Sequence, residues 1–171
     1  MKWLRIMLPL VLFAWSAAAF AQVDAQKSFD SLKTLAGSWQ GTLTTTPKQA
    51  DVDGKQAQIT LRVTSMGNAL AHEAHIDTRS DHPLTVFYMD DGRLTLTHYC
   101  DAGNRPRMVA KPSGDGKTVE FEFLDVAGST EYGHMHHSVI TMIDANHHIE
   151  DWTFMVGDKP VLAHFDLKRV Q

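Results

Sequence analysis

The chain has 171 residues, of which 43% are hydrophobic and 21% charged, with 16 Lys and Arg against 20 Asp and Glu. A formal net charge of −4 argues against a nucleic-acid binder, which needs a basic face for the phosphates. Cys100 is the only cysteine, which excludes an internal disulfide.

The first residues join a basic start, Lys2 and Arg5, to an apolar run from Leu8 to Phe13 and an Ala19-Phe20-Ala21 pattern. This predicts a secretory signal peptide over 1–21, and one exported domain over 22–171, periplasmic or secreted. The leader holds two of the basic residues and none of the acidic ones, which leaves the remainder at −6. No integral membrane segment is expected once it is cleaved, because the apolar run is too short to serve as an anchor.

From Gln22 to Ala36, Phe29, Leu32 and Leu35 recur at helical spacing, with Asp24 as N-cap and Gly37 as terminator. Alternating segments then follow at Ser38 to Thr46, Gln56 to Ser65, Ala69 to Asp77, Leu84 to Asp90 and Arg93 to Cys100. Five more lie at Arg107 to Lys111, Thr118 to Leu124, Met135 to Ile143, His148 to Val156 and Val161 to Val170. Turn chemistry such as Asp53-Gly54, Met66-Gly67-Asn68 and Asp90-Asp91-Gly92 separates them.

About ten short strands without helical crossovers form a meander, and a meander this long removes its free edges by closing. The expected fold is therefore all-β, an up-and-down antiparallel barrel of about ten strands with a short N-terminal helix. A two-sheet sandwich is the alternative. Thr78 to Pro83 and Val126 to Gly133 are looser connections, suited to a barrel mouth.

Gly37-Ser38-Trp39 after a short helix resembles the first strand of the calycins, the lipocalin and fatty-acid-binding barrels. Gly41, Pro47, the strand count and the closing Val161-Leu162-Ala163-His164-Phe165-Asp166-Leu167-Lys168-Arg169 make the chain more similar to nitrobindin-type haem barrels. That resemblance implies haem, with His164 on the last strand as iron ligand. Strict alternation points His164 outward with Leu162, Asp166 and Lys168, so an iron bond from it requires a bulge. Leu96-Thr97-His98-Tyr99-Cys100 and Gly103-Asn104-Arg105-Pro106-Arg107-Met108 are similar to a group of small secreted bacterial proteins of unknown function, which implies a fold and no activity.

The densest chemistry lies in Leu94 to Met108. Leu94, Leu96, His98 and Cys100 share one strand face, so His98 and Cys100 face inward if the leucines do. A hairpin returning through Asn104 would set Arg107 beside His98 and Tyr99, where a guanidinium fork could anchor a carboxylate. Glu73, if inward, could accept from His98 or Arg107, and Trp39 reads as a core or barrel-floor residue. His134, His136, His137, His147 and His148 read as rim or surface histidines, with His134 and His136 also at metal-ligand spacing.

The expected function is interior binding of a small apolar molecule, with haem as the leading specific ligand and His164 or His98 as its iron ligand. A barrel isomerase or hydrolase using His98 as acid or base, and an envelope or stress protein without a ligand, are the alternatives.

Overall fold

Val119 and Phe121 are buried while Glu120 between them and Glu122 after them are half-buried on the outer wall, the period-two pattern of a strand with one dry face and one wet face. The same alternation recurs along much of the wall of the computed structural model, which describes residues 24–111 and 116–170, although Leu94, Thr95 and Leu96 are buried in succession. The expected leader over 1–21 lies outside these residues, as does the start of the expected helix.

Helix α1 spans 24–33. The ten strands are β1 (Gly37–Thr46), β2 (Lys55–Thr64), β3 (Ala69–Ile76), β4 (Leu84–Asp90), β5 (Arg93–Tyr99), β6 (Arg105–Ala110), β7 (Thr118–Ala127), β8 (His134–Asp144), β9 (His147–Val156) and β10 (Lys159–Arg169). Each pairs antiparallel with its neighbour in sequence, and β1 pairs with β10 to close the barrel. The closed up-and-down barrel is thus the fold, and the sandwich is excluded. No helix among the described residues is long and apolar enough to cross a membrane.

Closure depends on Gly41. A Cβ there would lie 1.7 Å from the Asp166 carbonyl oxygen, so only glycine lets β1 and β10 approach at the Gly41–Leu167 pair. Register is re-aimed at bulges, at Leu124 of β7 between the Arg107–Asp125 and Met108–Phe123 pairs, and at His136 of β8 between the Met135–Phe154 and His137–Thr153 pairs.

One end is sealed. Phe29, Leu32 and Leu35 bury the apolar stripe of α1 and its exit against the barrel core, each removing enough apolar surface to contribute about 1.5–3 kcal/mol. The Trp39 indole N–H donates to the Leu35 carbonyl at 2.8 Å. Arg169 lies over the Trp39 ring and donates to the carbonyls of Thr34, Ala36 and Ala145, which satisfies backbone acceptors after the helix. Above this cap, Leu70, Phe87, Leu96, Phe121, Ile140 and Leu167 fill the lumen, all fully buried.

Candidate functional site

The opposite end is open. The loops 47–54, 77–83, 100–104 and 128–133 and the β9–β10 turn surround a cavity of about 440 Å³, within the range of small-molecule sites. Its walls are apolar, lined by Leu43, Ile59, Ala74 and Ile76 from β1 to β3 and by Met135, Phe154, Val161 and Phe165 from β8 to β10.

Polar groups converge at its base. β3 turns Leu70, His72, Ala74 and Ile76 inward, β4 turns Thr85 inward, β5 His98, and β9 His148, Glu150 and Trp152. His72 Nε2 meets the two Glu150 oxygens at 3.1 and 3.0 Å. His148 Nε2 lies 3.0 Å from Oε1, and the Trp152 indole N–H donates to Oε2 at 3.0 Å. Burial alone would raise the Glu150 carboxyl. The charge on His72 and the hydrogen bonds from His148 and His72 outweigh it and hold Glu150 below the usual carboxylate range. Burial opposes a charge on His72 too, but facing Glu150 raises its imidazole above its ordinary value. Each partner thus favours the charged form of the other, as a buried ion pair requires, while His72 Nδ1 is buried without a hydrogen-bond partner among the described residues.

His98 has a different state. Burial, together with the positive charge on His72, pushes its imidazole down to about 4, so it is neutral at pH 7. Nδ1 is 2.8 Å from Thr85 Oγ1, and Nε2 has no partner among the described residues. His98 thus brings one free hydrogen-bonding nitrogen to the cavity.

At the mouth, Arg79 bonds Asp81 through Nε at 2.9 Å and Nη2 at 3.3 Å, Asp101 at 2.5 Å and Asp51 at 3.4 Å. A hydrogen bond from Asp101, then those from Arg79, keep Asp81 ionised, whereas burial and the neighbouring Asp81 raise Asp101. Cys100 lines the same rim. Burial is the main cause that pushes its thiol up to about 11, so it is a thiol rather than a thiolate at pH 7.

The other residues singled out from the sequence lie elsewhere. Tyr99 is on the outer face, 49% exposed. Arg107 pairs with Thr97 in register rather than returning to His98, and its guanidinium forks onto Asp125 outside the barrel at 2.8 and 2.5 Å. Glu73 faces out and meets His82 Nδ1 at 3.1 Å. Asn104 is buried in the turn after Cys100, donating to the carbonyls of Ser129 and Gly133 at 2.8 and 2.7 Å. Trp39 is packed beneath the cavity, edge-on to His148 at 4.2 Å. His164 points outward, as alternation required, 2.7 Å from Asp151.

The histidine cluster disperses. His148 is fully buried in the base rather than at the rim, because β9 carries it on the face of Trp152. His147 meets Asp166 outside. His134 and His136 lie on one face as alternation places them, with Nε2 of the first 3.3 Å from Nδ1 of the second and both rings against Phe123, although β8 bulges at His136. His137, Glu120 and Glu122 do bring one ligand atom each within 4.8 Å of one another, but the Lys111 ammonium bonds both carboxylates there.

His72 and Glu150 were missed as site residues. On β3 the alternative face, Ala69 and Ala71 with Glu73 and His75, also carries apolar residues, so local pattern did not choose between them. On β9 the signal was available, since Glu150 shares its face with Trp152.

No family model matches the chain, and no curated protein sequence matches it. Among solved structures, a protein of unknown function from the DUF3598 family of Nostoc punctiforme superposes with a TM-score of 0.57 at 13% identity. The match covers 81% of this chain and 48% of that one. This chain therefore spans about half the length of that structure, and the likeness concerns the barrel fold alone.

Proposed function

We propose that this protein is an exported, calycin-like barrel that binds a small, largely apolar molecule in its open half, with His98 Nε2 as the polar anchor at the base. One observation carries the proposal: a cavity of about 440 Å³ ends on a free imidazole nitrogen above a lumen otherwise filled by side chains. Pockets with apolar walls and a few convergent polar groups are the usual form of small-molecule sites.

Haem fits this cavity poorly. His164 is outside, and Arg79, the only Lys or Arg among the lining residues, is already shared by three aspartates, so the two propionates would lack a cationic partner. His98 is the imidazole left to meet iron. An acid–base enzyme is also less well supported, because a histidine held at about 4 is a weak base at neutral pH.

The uncharged dye Nile red tests the binding proposal. Its emission should rise with the wild-type protein and not with Ala74→Trp, which fills the cavity from β3. Equal emission from both proteins, or none from either, would favour a structural protein without an interior ligand. Native mass spectrometry of protein recovered from the periplasm of its own host would identify the molecule and test export together.

A further inference from the structure

Which small molecule the barrel accepts depends on how the charges around the cavity are spent, and this step rests on the binding function proposed above. At the mouth one guanidinium faces three carboxylates, and its Nε, Nη1 and Nη2 atoms all bond to Asp51, Asp81 or Asp101. Even with a proton shared between Asp81 and Asp101, the rim keeps a net negative charge. A carboxylate or phosphate entering here would have to displace an aspartate from Arg79 while facing the others.

The interior has no cation to spare either. The charge on His72 is matched by Glu150, and both Glu150 oxygens are occupied by His72, His148 and Trp152. His98 is neutral, since burial and His72 disfavour its protonation. Its free Nε2 can give or take one hydrogen bond but cannot neutralise an anion. An anion carried to the base would be a buried, unpaired charge, which is costly.

We infer that the barrel takes an uncharged molecule with an apolar body and one hydroxyl- or carbonyl-type group for His98, tolerates a positive charge at the outer end, and rejects anionic amphiphiles at its acidic mouth. This separates it from barrels that hold a carboxylate in an arginine fork. The fork present here, Arg107, is spent on Asp125 outside the wall.

Three probes of one shape test the inference with the wild-type protein at pH 7.5 and low salt, by titration calorimetry: 1-naphthalenemethanol, (1-naphthyl)methylammonium and 1-naphthoate. The alcohol should bind most tightly or equal to the ammonium, and the carboxylate at least about tenfold more weakly than either, a gap that a net charge at a cleft readily produces. Naphthoate binding as tightly as the alcohol would overturn the inference and leave the binding function standing. Equal weakening of carboxylate and ammonium would also overturn it, since desolvation alone would then explain both. If none of the three binds, the inference and the binding function fall together.

Asp51, whose side chain is 65% exposed, can be changed without disturbing the core. In Asp51→Asn the gap between alcohol and carboxylate should narrow by about twofold or more, and an unchanged gap would remove the mouth from the explanation. The ¹⁵N resonance of His98 Nε2 should move on addition of the alcohol and not of 1-methylnaphthalene. No movement with the alcohol would overturn the anchoring role of His98.

Discussion

His72 on β3 and Glu150 on β9 lie 78 residues apart in sequence and meet across the lumen at 3.0 Å, both excluded from solvent. This pair supports the base of the cavity, and removing one partner leaves the other charged in a dry setting. Glu150→Ala should therefore cost about 3–5 kcal/mol in urea unfolding. Its pH dependence has two limbs. Glu150 is held below its ordinary 4.5, so its contribution is present above that pH and fades as the solution is acidified. His72 is raised above 6.5, so its contribution is complete below that pH and fades as pH rises through the folded value. The stability difference between wild type and variant should be largest between about 4.5 and 6.5. A difference that grows steadily toward pH 9 would contradict the pairing.

His98 provides a second pH test. With its imidazole at about 4 rather than 6.5, the unfolded chain takes up a proton in that interval that the folded chain refuses. Stability should fall from pH 6.5 to 4 on this account, by up to roughly 3 kcal/mol. Imidazole NMR should show the His98 ring titrating near 4, and a midpoint near 6.5 would mean that the base of the cavity is wet.

Gly41→Ala places a methyl against the Asp166 carbonyl, a backbone atom that cannot step aside without parting β1 from β10. Destabilisation of about 3 kcal/mol is expected, the upper end of overpacking costs, measured by chemical denaturation. Thr44→Ala, on the exposed face of the same strand, should stay within about 0.5 kcal/mol.

Asn104 ties the turn after β5 to the loop before β8 through two amide donors. In Asn104→Asp the donors become acceptors facing carbonyls, at a cost of about 1–3 kcal/mol. Hydrogen exchange should rise in 128–133, on one side of the cavity mouth, well before it rises in β1 or β2.

Cys100 should be sluggish. Raising its thiol from 9.0 to about 11 lowers the thiolate fraction at pH 7.5 about a hundredfold. Its alkylation by iodoacetamide should slow by a similar factor relative to the unfolded chain, and equal rates would place the thiol in open solvent.

Local sequence alone determined a good deal of this protein. The strands, their order and the closing of the meander followed from alternation and turn residues, as did the inward course of His98 and Cys100 and the outward course of His164. The helix that seals one end was readable from Phe29, Leu32 and Leu35. Alternation assigns residues to faces but is silent about what lies opposite, and only the closed barrel decided that His72 meets Glu150 and that Arg107 and Glu73 point away from the lumen. Bulges in β7 and β8 shifted register where no residue type announced it, while His134 and His136 stayed side by side on one face. The division of the lumen into a packed half and an open half was likewise settled by tertiary structure, because it depends on how side chains from ten strands share one volume.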